Sequence, residues 1–340
     1  MSMTRCMQRN GYLAASGFRC LGIMALAVVM AGSSPKSVIA ANISMAAANG
    51  SWLNAATWSD NAAPTTTNDY STAVVGNNFL RTSPVGGTAG GNADFTGNSL
   101  TVVSGTKLLY KQVAGQTASI NGGGGNLILD GQGAAFNGIQ LAPNNPVGAG
   151  SLLLDANQLI IASDSTIEAG STTAHATEAR TVVIDAILAG SGNLSVIRQG
   201  NNADGNDTDI PTFISIASVG AFTGNILVGR DTRLDFNSDH VFAGSLSLIA
   251  GPDDGSGSGL IDLSQLNVDQ ALSFHTVSGN GAFAASGTYS GASLLALNTA
   301  LGGNYFLDGG GSLTVLVPEP ATMALLGFGA ISLLFGRRLS

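Results

Sequence analysis

Leu188-Ala189-Gly190-Ser191-Gly192-Asn193-Leu194-Ser195-Val196-Ile197, followed further on by Ala221-Phe222-Thr223-Gly224-Asn225-Ile226-Leu227-Val228-Gly229-Arg230-Asp231-Thr232-Arg233-Leu234-Asp235-Phe236, decides how this chain folds. Both stretches read as strand, turn, strand: a Gly-x-Gly-x-Leu opening, a Phe-Thr-Gly turn, and short runs of Leu, Ile and Val interleaved with polar residues. A period of two sends alternate side chains to one face, which is the pattern of a half-buried strand. A helix would need apolar residues three and four apart.

The pattern continues outward. Leu100-Thr101-Val102-Val103, Asn126-Leu127-Ile128-Leu129-Asp130, Ser151-Leu152-Leu153-Leu154-Asp155, Gln158-Leu159-Ile160-Ile161 and Thr181-Val182-Val183-Ile184-Asp185 are further short runs punctuated by Gly, Asn or Asp. Composition points the same way, with 47 glycines and only 10% charged residues. Lys and Glu, the usual residues of exposed helices, are scarce, and no stretch of about 12 residues carries a helical stripe. Disorder is the competing reading for so Gly-rich a chain, but a hydrophobic content of 44% restricts it to local segments. The body is expected to be all-β.

The stretches quoted first resemble the autotransporter-associated β-strand repeat, and Phe242-Ala243-Gly244-Ser245-Leu246-Ser247-Leu248 and Gly309-Gly310-Gly311-Ser312-Leu313-Thr314-Val315 look like degenerate copies. The resemblance implies a right-handed parallel β-helix, a β-solenoid whose coils stack at ~4.8 Å. An antiparallel sandwich of short strands is the alternative. A coil of ~20–25 residues would give roughly a dozen coils in the body. The open ends of such a stack need covering, and the candidate caps are the Trp-bearing start, with Trp52 and Trp58, and the Gly-rich end before Pro318. Surface-exposed, the two tryptophans would offer a sugar-stacking platform; buried, they would close the core of the first coil.

The two ends of the sequence carry an address. Arg5, Arg9 and Arg19 precede an apolar run from Cys20 to Ala31, and Val38-Ile39-Ala40 offers a small-residue cleavage site before Ala41, so 1–40 reads as a signal peptide. Cys6 and Cys20 are the chain's two cysteines, so no disulfide is available from residue 41 onward. At the other end Val317-Pro318-Glu319-Pro320 cannot be helical, because each proline fixes its own φ and pushes its predecessor to an extended conformation. Ala321 to Phe335 is an apolar segment that would span ~22 Å as a helix, short against a hydrocarbon core of ~30 Å. Arg337 and Arg338 close it with a basic stop. This order of Pro-Glu-Pro, apolar segment and arginines resembles the PEP-CTERM sorting signal, which implies recognition and cutting near Pro318-Glu319-Pro320 by an exosortase, and an exported protein associated with exopolysaccharide or biofilm. The expected organisation is a signal peptide at 1–40, a β-helical body at 41–316 and a sorting signal with a single apolar helix at 317–340.

Charge excludes one class of partner. Only Glu319 among the 21 acidic residues lies outside the body, while six basic residues (Arg5, Arg9, Arg19, Lys36, Arg337, Arg338) of 13 do, leaving 20 acids against 7 bases. A nucleic acid needs a basic face, so none is expected. No enzyme motif emerges. His175, His240 and His275 are isolated, without the paired spacing of metal ligands. Gly122-Gly123-Gly124-Gly125 lacks the Lys of a phosphate loop and reads as a turn. Asp204, Asn206, Asp207 and Asp209 form an oxygen-rich loop, a Ca²⁺ candidate outside the EF-hand register, and Pro252-Asp253-Asp254-Gly255-Ser256-Gly257 is a second acidic loop. Asp231, Arg233, Asp235 and Asp239 form the one mixed cluster that a lyase or hydrolase could use. The expectation is a non-enzymatic surface or matrix protein without cofactor, held transiently at the membrane by its tail; a glycan-binding adhesin and a β-helix polysaccharide lyase or hydrolase are the alternatives.

Overall fold

The computed structural model describes residues 40–72, 76–82, 91–112, 115–134, 136–141, 152–169, 180–198, 212–229, 232–249, 265–279 and 281–316. The expected signal peptide (save Ala40) and the expected apolar helix of the tail lie outside them. Among the described residues no helix is long and apolar enough to cross a membrane.

The deciding stretch folds as its alternation predicts. In the Leu194–Arg198 strand Leu194 and Val196 are fully buried, with Ser195 and Ile197 half-buried on the other face. Leu194 lies beside Ile226, Ile226 beside Leu246 and Leu246 beside Val277, every pair parallel. Each strand therefore returns to lie against its own predecessor one coil earlier, and the inward positions stack Leu on Ile on Leu on Val. Each fully buried aliphatic side chain is worth roughly 1.5–3 kcal/mol, and here its neighbours above and below are of the same kind. This is a parallel β-solenoid of about six turns, not an antiparallel sandwich.

Three sheets run along it. The first joins Asn42–Ser44, Asp69–Ser71, Ser99–Val103, Asn126–Asp130, Leu152–Ser163, Arg180–Gly190, Thr212–Phe222, Thr232–Phe236, Gln265–Val268 and Phe306–Asp308 in that order, with Ala93–Phe95 and Thr117–Ile120 as a side branch. The second runs from Asn78–Arg81 to Val277–Gly279 and ends in the antiparallel Ala282–Phe283. The third, near the C-terminal end, contains His240–Val241, Ala271–Phe274, Ser312–Val315 and the antiparallel Gly287–Tyr289. The long strands of the first sheet bend where the register shifts between Asp155 and Gln158 and between Ile184 and Ile187, and buried Ala156 and Ala186 occupy those bends.

Steps between stacked partners correct the expected coil length. Ser99 lies beside Asn126 and Asn126 beside Gln158, 27 and 32 residues on, while Ile226 reaches Leu246 in 20. Coils are thus fewer and mostly longer than the expected dozen of ~20–25 residues. One expected repeat copy also moves: the strand of 309–315 joins the third sheet, where Ser312–Val315 pairs with Ala271–Phe274. Gly309 and Gly311 before it stack on Asp269 and Gln270, away from the Leu194–Ile226–Leu246 row.

Caps close both ends. Trp52 and Trp58 are buried with Tyr70 and Phe95, the rings 4.8–5.6 Å apart, and Trp58 Nε1 donates to the Trp52 carbonyl. Thr57–Ser59 runs along the outer edge of the first strand, where Ser59 N donates to Ser44 O and Ala46 N to Thr57 O. At the far end the cover is not the Gly-rich run that the sequence suggested but a helix, α1 (Ala292–Leu301). Leu294, Leu297, Asn298 and Leu301 are its buried residues, three, four and seven apart. The expectation that no stretch of about 12 residues carries a helical stripe left this helix unseen, because its stripe is only ten residues long. Asn298 completes the closure. Its Nδ2 donates to Phe306 O at 2.9 Å and its Oδ1 accepts from Phe306 N at 2.8 Å, so one side-chain amide occupies the edge where a further strand would pair.

Candidate functional site

The corner between the first and second sheets explains the Phe-x-Gly-x-Ile/Leu pattern of Phe222–Ile226 and Phe242–Leu246. Phe222, Phe242 and Phe274 pack in a column: Phe242 and Phe274 are parallel with centroids 4.4 Å apart, and Phe222 meets Phe242 edge-on. Two residues past the first two rings stand Gly224 and Gly244, where a Cβ would lie 1.9 Å from Gly192 O and 2.0 Å from Gly224 O. The next residues form a polar ladder. Asn225 Nδ2 and backbone N both donate to Asn193 Oδ1, Ser245 N donates to Asn225 Oδ1, and Thr276 Oγ1 donates to Ser245 Oγ. These residues serve the stacking of coils. A further copy, Phe95-Thr96-Gly97-Asn98-Ser99-Leu100, opens a strand of the first sheet, with Asn98 Nδ2 donating to Asp69 Oδ1. Its near identity to Phe222-Thr223-Gly224-Asn225-Ile226-Leu227 was the signal that could have found it.

Among the described residues the sequence-derived chemistry candidates do not assemble. Arg233 Nε donates to Asp235 Oδ1 at 3.2 Å and its guanidinium lies over the Phe213 ring. Burial pushes the Asp235 carboxyl above the ordinary range, Arg233 opposes that, and Asp269 adds to it. Asp239 accepts instead from Ala271 N in the next turn, and Asp231 lies outside the described residues. His240 packs edge-on against Phe242, with its pKa lowered by burial, and His275 is exposed at the corner. His175, both acidic loops and the Ca²⁺ candidates Asp204, Asn206, Asp207 and Asp209 lie outside the described residues. Among those described, no three His, Cys, Asp or Glu are placed to hold a metal. The tryptophans are core residues, so they offer no sugar-stacking face.

Two polar arrangements were not legible beforehand. Lys107 and Glu168, from the second sheet, are buried and pair at 2.5 Å, with the Phe136 ring under the ammonium. The second oxygen of Glu168 has no partner. On the first sheet, register places Asp94 beside Ser119, Ser119 beside Asp155 and Asp155 beside Asp185. The Asp155 pKa is raised, first by burial and then by Asp185 and Asp94. Both need partners one or two coils apart, about 30 to 60 residues in sequence.

The junctions with the terminal segments are plain. Asp69 N donates to Ala41 O, and the first strand starts at Asn42, so the body's pairing begins at the expected cleavage point between Ala40 and Ala41. At the other end Ser312–Val315 lies between two strands, and Leu316 N donates to Phe274 O. Folding thus extends to the residue before Val317. Val317, Pro318, Glu319, Pro320, Arg337 and Arg338 lie outside the described residues.

Residues 316–338 match the family description PEP-CTERM protein-sorting motif. The motif implies an exported, cell-surface protein that an exosortase sorts and processes. With the fold, this defines an exported β-solenoid carrying a sorting tail. No curated protein and no solved structure matches the chain.

Proposed function

We propose that this chain is a non-enzymatic structural component of the cell surface or extracellular matrix. It is exported through its signal peptide at 1–40, held at the membrane by the apolar segment Ala321–Phe335, and released or transferred when exosortase cuts near Pro318-Glu319-Pro320. The observation that carries this reading is the position of the motif: the match begins at Leu316, the last described residue, whose backbone N donates to Phe274 O. Cutting beyond it removes the tail without breaking any strand of the described residues. We also infer a right-handed coil, the hand of nearly all parallel crossover connections, and kinship of the corner pattern with autotransporter-associated repeats. Exopolysaccharide is the partner we favour, with the acidic body contributing to solubility outside the cell.

Replacing Pro318-Glu319-Pro320 by three alanines in the native host tests the sorting step. The altered chain should stay in the membrane fraction and keep its tail, while the parent chain loses it; equal processing of both would overturn the reading. Incubation with acidic polysaccharides tests the non-enzymatic part, since release of unsaturated sugars would make it a lyase. Glycan binding without turnover would make it an adhesin.

A further inference from the structure

The C-terminal cap differs from the rest of the body in charge. Residues 271–316 contain one acidic residue, Asp308, and no Lys or Arg. The same stretch holds three of the six exposed large apolar side chains among the described residues: Phe283 at 41%, Leu295 at 52% and Leu316 at 50%. The elements that carry them are contiguous. Helix α1 packs on Ala282–Phe283 and Gly287–Tyr289, and Gly287–Tyr289 pairs with Ser312–Val315, which leads directly into Leu316.

The distance from this cap to the expected membrane segment is short. Four residues, Val317 to Pro320, separate Leu316 from Ala321. Fully extended, the five Cα steps reach at most ~17 Å. A headgroup layer takes up ~6 Å of that. The clearance left is ~11 Å, about the diameter of one helix. A charged cap held so close would have to keep its charges hydrated. This one presents Leu and Phe on a surface almost free of charge.

We propose that this cap is a bilayer-contacting face: until the tail is cut, α1 and the adjoining Phe283 rest on the lipid surface and stand the solenoid on its C-terminal end. The proposal rests on the reading of 317–340 as a membrane-held sorting tail. A lipid surface is favoured over a protein partner because the tether by itself brings lipid within reach, and an interfacial site requires apolar side chains.

The test uses the chain as export is expected to leave it, Ala41–Ser340, which lacks the apolar run Cys20–Ala31 and contains no cysteine, reconstituted into neutral phosphatidylcholine vesicles. A polarity-sensitive dye is attached at Thr299→Cys, one turn from Leu295, or at exposed Asp60→Cys in the opposite cap. Iodide quenching at position 299 is expected to be about 3-fold weaker than at position 60, and that shielding should vanish in Phe283→Asp/Leu295→Asp while the chain remains on the vesicles. If the chain floats with the vesicles but both dyes are quenched alike, the cap proposal is overturned and the tail reading stands. If the chain fails to float, the tail reading falls and the cap proposal with it.

Discussion

Gly224 shows how much one position governs the stack. An added methyl there would lie 1.9 Å from the Gly192 carbonyl, a backbone atom that cannot turn aside. Gly224→Ala is expected to cost about 2–3 kcal/mol through forced separation of adjacent coils. Gly281→Ala meets nothing within 4 Å and should cost about 1 kcal/mol, from its positive φ alone. Urea unfolding of the two variants would show the difference, and equal midpoints would contradict the stacking account. Lys107 and Glu168 give a second test. Lys107→Met strands a buried carboxylate and should cost about 3–5 kcal/mol, while Lys107→Met/Glu168→Leu should recover most of the loss. Glycine and phenylalanine at the corner were readable from their repetition, whereas Lys107 and Glu168 were not. Nothing local marks two residues 61 apart as partners.

Among the elements, the strands were the legible part because alternation is a local signal. Leu194, Val196, Ile226 and Val228 announced their inward positions by spacing alone. Helix α1 was missed because its stripe is short and three of its exposed residues are alanines, which give no polar face to contrast with the leucines. It is nonetheless what terminates the first sheet. Asn298→Ala should leave the Phe306 amide and carbonyl unpaired, cost about 1–3 kcal/mol and raise hydrogen exchange at the Phe306 amide before that of Leu313. The aspartate row makes a pH prediction. A raised Asp155 pKa means that the folded state holds its proton more tightly than the unfolded one. The resulting stability is full below the ordinary Asp range near pH ~4 and is lost as pH rises through the raised value. Asp185→Asn removes one of the two neighbouring charges, so its unfolding midpoint should rise at neutral pH and change less between acid and neutral conditions than that of the parent.

At the scale of the molecule, the two caps decide what kind of rod this is. Bare coil ends would template further coils. Here Thr57–Ser59 lies along one end, while α1, Asn298 and two antiparallel strands close the other. A closed solenoid presents its flank and keeps its ends for other uses. The sorting motif was legible because it is contiguous, and its meeting with hydrogen-bonded Leu316 became visible only once the strand of Ser312–Val315 was placed. The account therefore turns on the fate of the segment beyond Leu316. Intact-mass spectrometry of the protein isolated from the surface of its own cells tests this most directly. A chain that starts at or near Ala41 and ends within Val317–Pro320, alone or joined to a further group, is the predicted result; a chain that still carries Arg337 and Arg338 would contradict it.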